Sequence, residues 1–340
     1  MFIDFNKTFI IAELSCNHVQ DLSIAKETIY AIKESGADAV KLQTYTPDTM
    51  TIDSKKDYFM IKQDTLWDGK TFYDLYKEAY TPWEWHYELK ELTEKLDMVF
   101  FSTPSNKDSV DFLEELNIPI YKIASFEITD IPLIEYVASK QKPIILSTGI
   151  AALSDIEDAI NACKRMGNNN FILLKCTSAY PAPFEEMNLK TIPNLSETFN
   201  CPVGLSDHTL GISVPIAAVA LGAKLIEKHF ILSKDLPSHD KEFSLEPYEF
   251  KEMVKAIREV EKALGNVCYD LNEKTKKSRE FSRSLFVVKD IKEGDVFTEE
   301  NIKSIRPGYG LHPKYFKDIL GKRAKFNLEK GTPLFWDMIF

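Results

Sequence analysis

No stretch of the 340 residues approaches the roughly 20 consecutive apolar residues of a membrane-spanning helix, so no such span is expected. The N-terminal MFIDFNKTF has neither a basic start nor a small-residue cleavage site, and no secretory leader is expected either. Cysteine is scarce and lacks a pairing pattern. Cys16, Cys163, Cys176, Cys201 and Cys268 are odd in number and none forms a CxxC, which argues against a disulfide framework or a zinc ribbon and for a reducing cytoplasm. A basic excess is missing too. Lysine and arginine number 42 against 52 acidic residues, a net charge of −10, where a general nucleic-acid binder carries a basic face. An acidic chain that binds an anionic substrate must gather lysine, arginine and backbone donors into one pocket.

What is present is alternation. Apolar runs begin at Phe9, Ala39, Met98, Ile120, Pro143, Phe171, Pro202 and Lys224, and each is continuously apolar at its start, as buried parallel strands are. Amphipathic stretches lie between most of them, such as DLSIAKETIYAIKESGA from Asp21, and SDIEDAINACKRMG with Ser154 as its expected N-cap. Eight such strands over about 250 residues predict an α/β fold, a (β/α)8 TIM barrel, in preference to a doubly wound sheet. EPYEFKEMVKAIREVEKALG, residues 246–265, reads as its final helix. The expected division is a barrel over 1–268, a charged linker over 269–283 around NEKTKKSRE, and a small β-rich module over 284–340. In that module KEGDVFTEENI (from Lys292) and EKGTPLFWDMI (from Glu329) form a weak internal repeat. A module of about 55 residues has a marginal core and is expected to pack against its own barrel or a partner's.

Each strand turns polar at its C-terminal end. In chain order the ends carry Glu13; Lys41 and Gln43; Ser102 and Thr103; Lys122 and Ser125; Ser147 and Thr148; Thr177 and Ser178; Ser206, Asp207 and His208; and Glu227, Lys228 and His229. Strands entering loops explain one or two such cases, not eight in succession, and a barrel brings these ends to the face where its chemistry is done. His208 and His229, in SDHT and EKHF, end neighbouring strands. Two imidazoles with open positions suit a first-row divalent metal that keeps waters and binds substrate oxygen, unlike a closed four-ligand zinc site. A lone histidine is more often a hydrogen-bonded core residue; the pair favours metal. Lys41 and Lys122 lie within strand patterns, and a buried ammonium needs an anion, for which Glu13, Glu127 or a bound phosphate or carboxylate are candidates. Ser125, Ser147 and Ser206 can add donors to a phosphate. Structural ion pairing of the lysines is the plainer alternative. A Schiff-base pyruvate aldolase is the alternative of another mechanism, and it has no need of the histidine pair.

The signatures AELSCNH, VKLQTY, YKIASFE, ILSTG, LKCTSAYPAP, GLSDHT and EKHF occur in this order, and the chain resembles the sialic acid synthases, which condense phosphoenolpyruvate with an N-acylated amino sugar. The resemblance covers nearly the whole chain, including a C-terminal module similar to the antifreeze-like SAF domain. Residue by residue it implies His208 and His229 as ligands of a divalent metal (Mn2+, Mg2+ or Co2+). It implies Lys41, Thr103, Lys122, Ser125, Ser147 and Ser206 around phosphoenolpyruvate, and Gln43, Ser178, Tyr180 and Asp240 around the sugar. Glu13, Lys41, Lys122 and Glu127 are the catalytic expectations, Glu127 for the proton of the attacking water. Arg306, in IRPGYG, matches an arginine that the family lends from the SAF domain of one subunit to the site of the other, which implies a domain-swapped homodimer. Within the family, the segment from Asp48 to His86 and the SAY of Ser178–Tyr180 are most similar to the pseudaminate branch, with the N-acetylneuraminate and legionaminate branches as alternatives. A sugar- or ice-binding protein, suggested by the module alone, leaves the polar strand ends unexplained. Departures from the family pattern are Cys16 for a common alanine, Ile150 for a frequent methionine, and LPSHD for a glycine-rich turn before Lys241.

Overall fold

Strands β1 (Phe9–Glu13), β2 (Ala39–Thr44), β3 (Val99–Pro104), β4 (Tyr121–Ile123), β5 (Ile144–Ser147), β6 (Phe171–Cys176), β7 (Val203–Asp207) and β8 (Leu225–His229) close into a parallel barrel in sequence order. The β1–β8 pairing seals it, with Phe9 opposite Leu225 and Glu13 opposite His229. The computed structural model describes residues 3–62 and 67–340. It divides into two compact units, Met1–Gly265 and Asn266–Phe340. None of the helices described is long and apolar enough to cross a membrane.

Helices α1 (Leu22–Ser35), α2 (Trp85–Lys95), α3 (Lys107–Glu115), α4 (Ile131–Ser139), α5 (Leu153–Arg165), α6 (Thr191–Phe199), α7 (Ser213–Ala220) and α8 (Pro247–Leu264) follow the strands in turn. Helix α1 starts where expected, because the Asp21 carboxylate accepts from the Ser23 and Ile24 N–H groups. Helix α5 does not start at Ser154. Its cap is Ala152, whose N–H is satisfied by the Asp155 carboxylate at 2.8 Å, and Ser154 lies within the first turn. Two further short helices, Pro47–Met50 and Phe72–Ala79, occupy the long β2–α2 connection.

Alternation along the strands separates two cores. Ile10, Ala12, Val40, Leu42, Phe100, Leu146, Leu173, Leu205 and Ile226 pack under the helices. Ile11, Ala39, Phe101, Ile120, Ile145, Ile172, Leu174 and Leu225 form a separate cluster in the barrel interior. Each buried Ile, Leu or Phe contributes about 1.5–3 kcal/mol, so both faces of every strand are spoken for along most of their length. The interior residues two further along are Glu13, Lys41, Thr103, Lys122, Ser147, Cys176 and Glu227, in the same strands. The barrel floor is therefore apolar and its other end polar.

In the second unit, β9 (Ser284–Val287) and β10 (Ile302–Ile305) pair antiparallel, with Ile302 opposite Val287. Leu285, Val287, Ile291, Phe297, Ile302, Ile319 and Leu334 form its core. The internal repeat has a structural counterpart. Ile291 and Leu328, the residues immediately before the two copies, exchange N–H to C=O bonds of 2.9 and 2.8 Å. The equivalent glycines, Gly294 and Gly331, both take the left-handed conformation, at φ 83° and 94°. The charged stretch read as linker contains a short helix, Glu273–Ser278, capped by the Asn272 side chain on the Thr275 N–H.

Candidate active site

Two lysines and two carboxylates from β1, β2, β4 and β8 meet inside the barrel. Lys41 forms a salt bridge with Glu13 and lies 3.8 Å from Glu227 Oε1; Lys122 lies 3.6 Å from the same oxygen. All four side chains are at most 5% exposed, so none owes its ionisation to solvent. Lys122 is thus paired with Glu227, not with Glu127 as the sequence allowed. Lys41 also donates to Thr103 Oγ1 at 3.3 Å, and Ser206 Oγ donates to Glu227 Oε1 at 3.0 Å. Burial opposes the charge on Lys41, but Glu13 and Glu227 hold its ammonium above the ordinary range. Burial pushes Lys122 below it, with only partial compensation from Glu227. Burial would raise Glu227, yet Lys122 and Lys41 together keep it anionic. Burial raises Glu13 despite Lys41.

His229 closes β8, and His208 lies one residue beyond β7. Their ring centroids are 5.4 Å apart. His208 Nδ1 donates to the Thr177 carbonyl at 3.1 Å, which leaves Nε2 as the lone-pair nitrogen. His229 Nδ1 is buried without a hydrogen-bond partner and is 3.5 Å from Asp240 Oδ2. Burial, then the charges of His208, Lys41, Lys228 and Lys122, push His229 well below the ordinary histidine range, so it stands as a neutral imidazole. Among the described residues no cluster of three or more His, Cys, Asp or Glu is set to hold a metal. Burial opposes charge on His208, but Cys176 and the Thr177 carbonyl hold it above the ordinary histidine range. The arrangement offers two imidazoles and open positions, and a bound cation would have to displace the proton His208 tends to keep.

Asp240 reaches this point through the LPSHD loop. Its Oδ2 accepts from Ser15 Oγ at 2.5 Å, and Gln43 Nε2 donates to Ser15 Oγ at 3.0 Å and to Glu13 Oε1 at 3.2 Å. Ser238 of the same loop donates to Asn17 Oδ1 at 2.5 Å and lies 3.5 Å from Cys16 Sγ. Two departures from the family pattern, Cys16 and the LPSHD loop, therefore touch each other. Tyr180 packs on His208 at 4.5 Å, on Phe243 at 5.3 Å and on Trp67 at 5.9 Å.

The serines gather at Gly149, after β5. Its N–H donates to Ser125 Oγ at 3.1 Å. A Cβ there would lie 2.2 Å from Ser178 Oγ, 2.7 Å from Ser125 Oγ and 3.2 Å from Cys176 Sγ. Ser147 and Ser178 hydroxyls are buried without partners among the described residues. Orphaned donors on a strand-end face that also carries two buried ammoniums are of a kind that can hold an anion. Glu127 follows in the short turn Ser125–Glu127, where burial raises its carboxyl against the opposing charge of Lys122. Arg306 lies in the second unit, exposed, directly after β10.

Glu227, counted among the polar strand ends but given no role, belongs to the site, as do Cys176, Ser15 and Phe243, which the sequence did not single out for it. Glu227 and Cys176 carried a usable signal: residues two apart in a strand share a face, which puts Glu227 with His229, and Cys176 beside the interior Leu174. Ser15 and Phe243 come from loops and carried none.

A sequence profile described as the NeuB family matches residues 28–269, and one described as the SAF domain matches residues 282–339. The chain is 54% identical to a pseudaminic acid synthase of Helicobacter pylori, over 97% of both chains. It is 49% identical to one of Campylobacter jejuni, over 96% of this chain and 95% of that one. Among solved structures, an N-acetylneuraminic acid synthetase of Leptospira borgpetersenii aligns with TM-score 0.72 and 33% identity, covering 82% of this chain and 92% of its own. With a profile spanning most of the barrel and relatives alike from end to end, the chain belongs to the NeuB family and carries a SAF domain.

Proposed function

We propose that the chain is a pseudaminic acid synthase: it condenses phosphoenolpyruvate with 2,4-diacetamido-2,4,6-trideoxy-L-altrose and water, releasing phosphate. The observation that carries this reading is the 54% identity with a pseudaminic acid synthase over 97% of both chains. The strand-end face agrees with it. Lys41 and Lys122 sit where a carboxylate and a phosphate need counter-charge, and Ser125, Ser147, Ser206 and Thr103 supply the hydroxyls around them. His208 and His229 would hold a divalent ion, which when bound supplies Lewis-acid polarisation of a carbonyl oxygen. The orphaned His229 Nδ1 and its neutral ring fit such an ion, with the His208 imidazole 5.4 Å away by ring centroids as the second donor once deprotonated.

The chemistry then balances. C3 of the enol bonds to the sugar aldehyde carbon, water adds at C2, and the C2–O bond to phosphate breaks. The two water protons end on the new hydroxyl and on phosphate. Glu127, raised by burial, is the group we assign to carry a proton from the water. Glu13 keeps Lys41 charged. Gln43, Ser178, Tyr180 and Asp240 face the sugar side, and the wall of Tyr180, Phe243 and Trp67 suits an apolar C6 methyl. A Schiff-base aldolase would need an un-ionised lysine; Lys41 is held in the opposite sense and only Lys122 is pushed that way, and that chemistry would leave the histidine pair without a use. Residues 1–268 serve as the catalytic barrel, 269–283 as linker and 284–340 as the SAF domain. Arg306 reaches the sugar of a second subunit in a swapped homodimer. Five free thiols suit a cytoplasmic setting.

Phosphate release, measured with phosphoenolpyruvate and a panel of acylated amino sugars, should be fastest with the diacetamido trideoxy altrose. Faster turnover of N-acetylmannosamine or of its 4-acetamido, 6-deoxy analogue would overturn the assignment.

Gly149→Ala tests the anion cradle. The added methyl overlaps Ser178 and Ser125, and relieving overlap of this kind costs about 1–3 kcal/mol. If the displaced hydroxyls are those that hold the phosphate, kcat/KM for phosphoenolpyruvate should fall roughly 10- to 100-fold. Adding Ser178→Ala should return part of it. Steady-state kinetics at saturating sugar give both numbers.

A further inference from the structure

Register pairs of β7 and β8 alternate in direction. Ser206 opposes Glu227 and Asp207 opposes Lys228, and the next residue of each strand path is His208 and His229. Ser206 and Glu227 join inside the barrel, so Asp207 and Lys228 face its helices. Outward positions elsewhere are mostly apolar, among them Ala12, Val40, Leu42, Leu146, Leu173, Leu205 and Ile226, and the buried polar ones, Thr44 and Ser102, are neutral hydroxyls bonded to each other. Here an ion pair stands instead. Lys228 Nζ lies 2.7 Å from Asp207 Oδ2, and both side chains are 0% exposed.

Stability gives no reason for this choice. A buried ion pair loses its hydration, and apolar residues of similar volume serve as well or better. Geometry does give one. Asp207 accepts from the Thr209 N–H and the Thr209 hydroxyl, each at 3.1 Å, while Lys228 donates to the Thr209 carbonyl. Three bonds thereby fix the backbone on both sides of His208, and they anchor it to the residue before His229. Nothing else described ties the two histidine-bearing ends together outside the barrel wall.

We infer that Asp207, Lys228 and Thr209 form a positioning clamp that sets His208 and His229 at the spacing a shared divalent ion requires. The inference rests on the metal reading of the histidine pair. The clamp touches neither ion nor substrate; it acts through the two backbones. Outer partners of this kind typically change metal affinity or activity 10- to 100-fold when removed.

The test uses the full chain and Mn2+ as the probe, followed by electron paramagnetic resonance, with thermal melting as a separate readout. Asp207→Leu combined with Lys228→Met should fold, melt lower than the parent because the buried Thr209 groups lose their partners, and bind Mn2+ about 10- to 100-fold more weakly. Thr209→Val, which changes no charge, should weaken Mn2+ binding severalfold. Unchanged Mn2+ affinity in the folded double variant rejects the clamp. Should the double variant fail to fold, unchanged affinity in Thr209→Val rejects it. A parent chain that binds no stoichiometric Mn2+ overturns the metal reading and the clamp together, which separates the two failures.

Discussion

His229→Ala should lower phosphate release by about a thousandfold or more while leaving the barrel folded. A metal acting as Lewis acid supplies several kcal/mol of transition-state stabilisation, and each 1.36 kcal/mol is tenfold in rate. With one of two protein ligands gone, Mn2+ has a single imidazole left and should no longer be retained at micromolar concentrations. The fold has less at stake. His229 is a neutral ring whose Nδ1 has no partner among the described residues, packed edge-on against Phe243 at 4.8 Å, so its loss removes packing and no ion pair. Melting within a few degrees of the parent, together with turnover that added Mn2+ does not rescue, is the expected result. His208→Ala should behave alike in turnover but lose more stability, because its Nδ1 anchors the Thr177 carbonyl. Undiminished turnover of either variant in metal-stripped buffer would remove the metal from the mechanism.

Much of this site is legible in the sequence because a parallel barrel strand has little freedom. Its interior positions recur every second residue, and hydrophobic runs fix the phase. Once Ile120 is interior, Lys122 must be; once Leu225 is, Glu227 and His229 must be. The eight strands and the polar ends follow from this rule. Pairing across the barrel does not. Period-two alternation says that Lys122 points inward, but which carboxylate it meets depends on how strands from different parts of the chain stagger around the barrel. The sequence offered Glu13, Glu127 or a bound anion as partners, and the structure pairs Lys122 with Glu227. Loops are still less legible. Nothing in LPSHD announces that Ser238 docks on Asn17 and Cys16 and so carries Asp240 to Ser15. Nor does a charged, apolar-poor stretch announce the short helix Glu273–Ser278, whose stability rests on a single asparagine cap and exposed ion pairs. The Ser154 cap failed for a related reason: Asp155, one residue later, reaches the Ala152 N–H with a charged oxygen and draws the helix start forward.

Lys122→Met should weaken phosphoenolpyruvate binding by roughly 30- to 1000-fold, corresponding to about 2–4 kcal/mol for a charge-assisted contact to a partly buried anion. The same change disturbs the protein's own charges, and the two effects must be told apart. Within the barrel Lys41 and Lys122 balance Glu13 and Glu227. Removing Lys122 leaves Glu227 with Lys41 as its nearest cation, at 3.8 Å, and breaking one partner from a buried pair is destabilising. Melting temperature should therefore fall along with affinity. Lys122→Met combined with Glu227→Gln restores the balance, since Lys41 then faces Glu13 alone, and a glutamine keeps an acceptor for the Ser206 hydroxyl. This double variant should recover most of the melting temperature and none of the affinity for phosphoenolpyruvate. Sugar affinity, measured separately by titration, should stay within a few-fold of the parent in both variants. Recovery of phosphoenolpyruvate binding together with stability would mean that Lys122 is a structural ion-pair partner, and that the anion is held by Lys41 and the serine cradle without it.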